Sequence, residues 1–198
     1  MTILVICAIA IGALAGFWLL PQEAVGYLDT VTTAALCLML VGIGLDLGSR
    51  RETWARLRAL GWRVLLIPLL IAVGSLVGAV VGGFLLGLPV NESSAIGAGF
   101  GWYSLSGVLL AKIYSVETGA LAFMTNVSRE VIAFVLIPVL AVKLGYLVAI
   151  SPGGATTMDT TLPLISKATD ADTTIIAMVS GTALSAMVPL LVPLLIRI

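Results

Sequence analysis

The sequence has few charged residues and no histidine. Lys, Arg, Asp and Glu make up 10% of the 198 residues, against about 25% in a soluble domain. The two cysteines, Cys7 and Cys37, lie in separate apolar runs without a partner motif, so no disulfide framework, zinc site or nucleophile–base pair is indicated. Ten basic and ten acidic residues give a net charge of zero. The sequence therefore predicts no enzyme, no metal, no cofactor and no nucleic-acid partner.

What the sequence has in abundance is apolar residues, which make up 60% of the chain with a mean hydropathy of +1.18. One spanning helix needs about 20 apolar residues. We therefore predict an all-α polytopic membrane protein with a single transmembrane domain over 1–198. The hydropathy pattern divides it into about seven segments, at 3–20, 30–47, 64–88, 93–114, 117–142, 144–167 and 174–196. Half of the basic residues lie in the loop 49–63, which the positive-inside rule predicts to be cytoplasmic.

Two of the predicted segments are interrupted by residues that disfavour a regular helix. The stretch 152–163 is bracketed by Pro152 and Pro163 and also contains two glycines, four threonines and Asp159. The stretch 97–107 holds four glycines. Paired interruptions of this kind indicate a transport site near the bilayer midplane, where unwound backbone lines a cavity. The alternative for 97–107 is a continuous helix with a glycine-rich packing face.

Three charged residues lie in predicted spans away from the span ends. Arg129 and Glu130 are near the middle of 117–142, and Asp159 lies in 152–163. Each such group costs on the order of 3 kcal/mol at the bilayer centre, so it usually faces a partner or a wet cavity. One interpretation is that Arg129 pairs with Glu130 or Asp159 to hold the bundle together. The other is that the two carboxylates are exchangeable groups in a hydrated pocket.

The polar groups near the interruptions indicate the kind of substrate. Free N–H groups at half-helix N-termini suit a carboxylate, and the two acids suit an ammonium group or a proton. This combination favours a cationic amino acid, or proton- or sodium-coupled transport of a similar solute. The candidate binding residues are Glu130 and Asp159, with secondary lining groups at Trp102, Tyr103, Ser104, Asn126, Thr156 and Thr157.

Three segments of the chain resemble the signature segments of the LysO-type lysine exporter family: Gly99–Gly107, Ser128–Pro138 and Gly154–Pro163. The resemblance implies export of L-lysine and its toxic analogues across the bacterial inner membrane. It implies that the acids matching Glu130 and Asp159 are needed for transport, which we expect to be proton antiport. It also implies kinship with inverted-repeat carriers whose two broken helices cross at the midplane.

The resemblance departs at the front of the chain, because full-length members carry further membrane helices there. We therefore expect the chain to work as a homo-oligomer or with a small membrane partner subunit. Two alternatives stay open: a sodium-coupled organic-anion carrier of related fold, and a non-transporting subunit of a membrane complex.

Overall fold

The structure is a computed structural model that describes residues 61–198 and a few isolated positions between 11 and 49. The chain forms two compact units, Met1–Ser49 and Arg50–Ile198. In the first unit, described positions such as Val31, Leu38 and Leu45 are helical. The predicted spans 3–20 and 30–47 and the predicted cytoplasmic loop 49–63 lie largely outside the described residues. The single domain over 1–198 stays a prediction.

The second unit is built from helices, and no strand occurs between residues 61 and 198. This confirms the all-α class. The described part of the unit contains two 3₁₀ turns, at Trp62–Leu65 and at Gly154–Met158. The α-helices are α1 Leu66–Leu85, α2 Val90–Gly97, α3 Tyr103–Ile113, α4 Val116–Lys143, α5 Tyr146–Ala149, α6 Leu162–Ala168 and α7 Ala171–Leu195.

Three of these helices, α1, α4 and α7, are long and apolar enough to cross a membrane. They contain 20, 28 and 25 residues, which at about 1.5 Å per residue gives at least about 30 Å, the thickness of the hydrocarbon core. They correspond to the predicted spans 64–88, 117–142 and 174–196. The chain is therefore a multi-pass helical membrane protein.

Side-chain caps set where two of the long helices begin. The Ser115 hydroxyl accepts a hydrogen bond from the Thr118 N–H at 3.1 Å at the start of α4. The Asp170 carboxylate accepts one from the Thr173 N–H at 2.7 Å at the start of α7. That backbone hydrogen bond favours the ionised form and lowers the pKa of the exposed Asp170 carboxyl. Both caps satisfy donors that a helix N-terminus otherwise leaves open.

The predicted segment 93–114 is a helix broken in the middle. Helix α2 ends at Gly97, the backbone turns through 98–102, and α3 begins at Tyr103. Within the turn, Gly101 has a φ of 98° and the fully buried Phe100 a φ of 48°. A bulky side chain is rarely found at a positive φ, so this turn is strained. The interruption at 97–107 is confirmed, and the alternative of a continuous glycine-faced helix is wrong. We call residues 90–113 the first broken helix.

The predicted segment 144–167 is broken in the same way. The four-residue α5 ends at Ala149, the 3₁₀ turn Gly154–Met158 follows, and α6 begins at Leu162. Pro163 lies in the first turn of α6, where its missing N–H has no helical partner to lose. The interruption at 152–163 is confirmed. We call residues 146–168 the second broken helix.

Helices α4 and α7 flank both broken helices. Helix α7 packs against α2, α3, α6 and the 3₁₀ turn Gly154–Met158. Helix α4 packs against α2, α3, α5 and α6. Helix α7 comes close to the second broken helix at Gly181, where a Cβ atom would overlap the Met158 backbone nitrogen and lie 2.6 Å from the Thr157 hydroxyl. Glycine at this position therefore lets α7 press directly on the unwound backbone of the second broken helix.

Candidate functional site

The two broken helices touch at their interruptions. The Ala155 N–H donates a hydrogen bond to the Phe100 carbonyl at 2.8 Å. Gly154 has a φ of 59°, and a Cβ atom there would overlap the same carbonyl oxygen. Gly101 also lies close to the other segment, since its Cβ position is 3.3 Å from the Gly153 carbonyl. We call this contact between residues 99–102 and 152–156 the junction; it is the geometry expected of crossing broken helices.

Asn126, on α4, satisfies the freed backbone of the first broken helix. Its Oδ1 accepts from the Gly101 N–H at 2.7 Å, and its Nδ2 donates to the Ile96 carbonyl at 3.1 Å. The same amide nitrogen also reaches the Ala122 carbonyl and the Ser106 hydroxyl. The side chain is only 2% exposed. Asn126 was predicted as a lining group. In the structure it is buried, and its hydrogen bonds connect two parts of the backbone at the first interruption.

Arg129, three residues further along α4, does the same for the second broken helix. Its Nε donates to the Pro152 carbonyl at 3.0 Å, and its Nη2 donates to the Ser151 carbonyl at 3.2 Å. Its Nη1 donates to the Ser75 hydroxyl on α1 at 2.9 Å. Carbonyls that follow a helix C-terminus carry partial negative charge, which suits a guanidinium. Within residues 61–198, the guanidinium is thus held by neutral oxygens and not by Glu130 or Asp159.

The threonines of the second interruption turn their hydroxyls onto its own backbone. Thr157 donates to the Gly154 carbonyl or the Ala177 carbonyl, each at 2.8 Å. Thr156 donates to the Gly153 carbonyl at 2.9 Å, and its hydroxyl lies 3.1 Å from that of Thr161. Thr156 and Thr157 are both buried. These hydroxyls replace the helical partners that the unwound backbone has lost.

The two candidate carboxylates have different surroundings. Glu130 is 1% exposed and lies on α4, one turn after Asn126. Asp159 follows the 3₁₀ turn directly and is exposed, and its Oδ1 accepts hydrogen bonds from the N–H and the hydroxyl of Thr160. One acid is therefore enclosed in the helix bundle, and the other lies at the surface of the second interruption.

The three candidate residues Trp102, Tyr103 and Ser104 form the start of α3, directly after the first interruption, and all three are half-buried. The Tyr103 ring packs edge-on against Phe123 of α4, with centroids 5.3 Å apart. This places them at the N-terminal end of a half-helix that begins at the junction.

The Arg129 side chain lines two open grooves. The larger has a volume of about 740 Å³ and the smaller about 580 Å³, both within the range of about 300–1,000 Å³ typical of small-molecule sites. Arg129, Leu136 and Pro152 line both. The lining is mostly apolar, and its other polar side chains are Ser75 and Ser151 in the larger groove and Thr125 and Ser128 in the smaller. Neither groove is lined by any of the eight predicted site residues.

Two polar side chains, Ser75 and Glu92, make long-range hydrogen bonds that were not predicted from the sequence. Ser75, on the apolar helix α1, binds Arg129. Glu92, on α2, accepts hydrogen bonds from the Thr118 and Tyr114 hydroxyls, at 2.9 and 3.1 Å. Both pairings join residues more than 20 positions apart, so no local pattern predicts them. The signal for Ser75 was its hydroxyl next to Gly74 in an otherwise apolar span.

A multi-pass membrane protein in which two broken helices meet at their interruptions has the architecture of a secondary transporter. The sequence model of the family described as "Lysine exporter LysO" matches residues 6–196, and the chain belongs to this family.

Two curated relatives carry names that agree with the family. "Lysine exporter LysO" of Escherichia coli (strain K12) is 35% identical over 173 residues, which is 86% of this chain and 57% of the relative. "Putative lysine exporter" of Haemophilus influenzae (strain ATCC 51907 / DSM 11121 / KW20 / Rd) is 37% identical over 127 residues, 64% of this chain and 65% of the relative. The matches thus span less than two thirds of either relative. No solved structure matches the chain.

Proposed function

We propose that this chain exports L-lysine across the bacterial inner membrane in exchange for protons, with Glu130 and Asp159 as the exchanging groups. The observation that carries the proposal is the junction of two interrupted helices, held by the same helix that carries the buried Glu130. Unwound backbone at bilayer depth is costly, and carriers keep it where a substrate binds. Membership of the lysine exporter family supports the choice of substrate.

The carboxylates supply what a lysine cation and a proton have in common. An uncompensated negative charge in a low-dielectric bundle is unfavourable, so a buried carboxylate holds a proton or a cationic partner. Glu130 alternates between these two states as the lysine ammonium group arrives and leaves. The exposed Asp159, beside the second interruption, is the group at which a hydrated substrate first meets negative charge. The residues Trp102, Tyr103, Ser104, Asn126, Thr156 and Thr157 shape the junction around them.

We place the chain in the inner membrane with the loop 49–63 on the cytoplasmic side, because the arginines of that loop set orientation. In this proposal the working transporter is an assembly of the chain with a second copy of itself or with a small membrane subunit.

Neutralising the two acids without changing their size tests the proposal. Glu130→Gln and Asp159→Asn, singly and together, are expressed in cells that lack lysine export and are challenged with a toxic lysine analogue. We expect each variant to lower efflux by about tenfold or more, the value of one charge-assisted contact, and the double variant to give no protection.

The matched controls are Glu117→Gln and Asp172→Asn, which neutralise exposed acids in the first turns of α4 and α7. We expect both controls to protect as well as the original chain. Membrane abundance is measured for every variant, so that loss of protein is distinguished from loss of transport. Full protection by the abundant double variant is the result that rejects the carboxylate mechanism.

A further inference from the structure

Arg129 is a cation at bilayer depth whose role the transport proposal does not use. It lies in the middle of α4, the longest apolar helix among residues 61–198, with more than ten residues on either side. Its side chain reaches the junction itself: the Gly154 Cβ position lies 2.8 Å from Nη2, and the Gly101 Cβ position lies 3.9 Å from Cδ. Glycine at 154 leaves the space that the guanidinium occupies, and Gly101 is in ordinary contact distance of the side chain. The guanidinium is thus built into the place where the two broken helices meet.

The hydrogen bonds of Arg129 leave part of its donor capacity unused. A guanidinium has five N–H groups in a fixed planar fork. Three of them go to the Pro152 carbonyl, the Ser75 hydroxyl and the Ser151 carbonyl. One N–H on each terminal nitrogen stays open within the described part of the chain. Two donors on adjacent nitrogens of one plane match the two oxygens of a carboxylate.

The charge of Arg129 is also only partly compensated. Its described partners are two carbonyls and a hydroxyl, which provide dipoles and no formal negative charge. A cation in a low-dielectric setting gains most from an anionic partner. The two grooves that the side chain lines, of about 740 and 580 Å³, give such a partner access to it.

We infer that Arg129 is the carboxylate subsite of the transport site and binds the α-carboxylate of the amino acid through its two open N–H groups. This inference rests on the proposed function and deepens it by assigning the opposite end of the substrate. The acids bind the ammonium groups, and Arg129, on the same helix, binds the carboxylate. The chain then distinguishes an amino acid from a diamine of the same length, which the two acids alone do not.

The test compares L-lysine with 1,5-diaminopentane, which keeps the five-carbon chain and both amines but lacks the carboxylate. The full chain is purified in detergent, and binding of labelled L-lysine is measured together with its displacement by either compound. We expect the original chain to prefer L-lysine by about ten- to a hundredfold, the value of hydrogen bonds between charged groups. Equal affinity for the two compounds overturns the inference, and this arm needs no variant.

The second arm removes the charge with Arg129→Gln and moves it onto a point donor with Arg129→Lys. We expect Arg129→Gln to lose the preference for L-lysine. Its affinity for 1,5-diaminopentane is expected to stay within about threefold of that of the original chain, because the diamine has no carboxylate for Arg129 to bind. Arg129→Lys keeps the charge without the planar fork, so it is expected to keep an intermediate preference. The matched control Lys143→Gln removes a positive charge at the exposed end of the same helix and is expected to keep the full preference.

The outcomes separate the subsite from the function and from a structural role. Equal loss of both ligands in Arg129→Gln means that the arginine only holds the junction together, and this overturns the inference while leaving the proposed function intact. Binding of neither ligand by the original chain overturns the proposed function and the subsite with it. Loss of the L-lysine preference alone supports the subsite.

Discussion

At the scale of single residues, helix α4 uses two neighbouring side chains to satisfy two interruptions. Asn126 bonds to the backbone on both sides of the first, through Ile96 and Gly101. Arg129 bonds to the carbonyls of Ser151 and Pro152 before the second. The two residues are three positions apart and therefore share one face of the helix. The Asn126 amide provides both a donor and an acceptor to the first interruption. The Arg129 guanidinium provides donors only, which suit the two carbonyls of the second.

Replacing Asn126 by alanine tests the hydrogen bonds that this side chain makes to the first interruption. Asn126→Ala leaves the Gly101 N–H buried without its partner, which costs about 1–3 kcal/mol, whereas the Ile96 carbonyl keeps the hydrogen bond from the Gly99 N–H. We expect a clear fall in the apparent melting temperature of the purified chain in detergent. The measurement is a thermal aggregation or fluorescence melt.

The matched control for that melt is Thr125→Ala, which changes the exposed neighbour on the same helix and is expected to stay within about 0.5 kcal/mol. If the Asn126→Ala variant melts at the same temperature as the original chain, the Asn126 hydrogen bonds do not stabilise the first interruption.

At the scale of secondary-structure elements, the turn in the first broken helix combines a glycine, Gly101, with a strained non-glycine residue, Phe100. Phe100 takes a φ of 48° while fully buried, and its carbonyl is then free to accept from Ala155 of the second broken helix. A regular helix would use that carbonyl internally. The strained turn therefore creates the acceptor that joins the two interruptions.

Close packing at the junction predicts a strong dependence on the size of residue 154. Gly154→Ala places a methyl group against the Phe100 carbonyl and the Arg129 guanidinium, at a φ of 59° that alanine disfavours. We expect the two broken helices to separate, with a loss of stability of at least about 1–2 kcal/mol from the backbone conformation alone. Melting temperature and lysine efflux are measured together.

The control for residue 154 is the same substitution at a position with free space. Gly82, in α1, has nothing within 4 Å of its Cβ position. Since alanine is favoured over glycine in a helix by up to about 1 kcal/mol, Gly82→Ala is expected to keep or raise stability. Similar behaviour of the two alanine variants would show that the junction is looser than the structure indicates.

At the scale of the whole molecule, the interruptions were predictable and their partners were not. Glycines and prolines at 97–107 and 152–163 act locally on the backbone, so the sequence indicates both breaks directly. The surroundings of Glu130 and Asp159 depend on how the helices pack, and nothing in their local sequence distinguishes the buried acid from the exposed one. For the same reason the sequence left open whether Arg129 pairs with an acid, and the structure shows its hydrogen bonds to carbonyls.

The coupling ion is a property of the whole molecule, and the proposed function predicts that it is the proton. The purified chain is reconstituted in liposomes with an acidic interior two pH units below the outside. That difference stores about 2.7 kcal/mol per proton. If one proton leaves as each lysine cation enters, the exchange is electrically neutral and accumulates labelled lysine up to about a hundredfold.

Dissipating the pH difference with an electroneutral proton–potassium exchanger, in liposomes with potassium on both sides, is expected to abolish this accumulation. Glu130→Gln liposomes are expected to show none, because a glutamine side chain cannot exchange a proton. A sodium gradient of the same size, without a pH difference, is expected to drive no uptake. Uptake driven by sodium alone would show that the carboxylates serve a sodium-coupled carrier, since a carboxylate beside unwound carbonyls also suits a sodium ion. The two gradients thus separate the same acids acting as proton acceptors from those acids acting as sodium ligands.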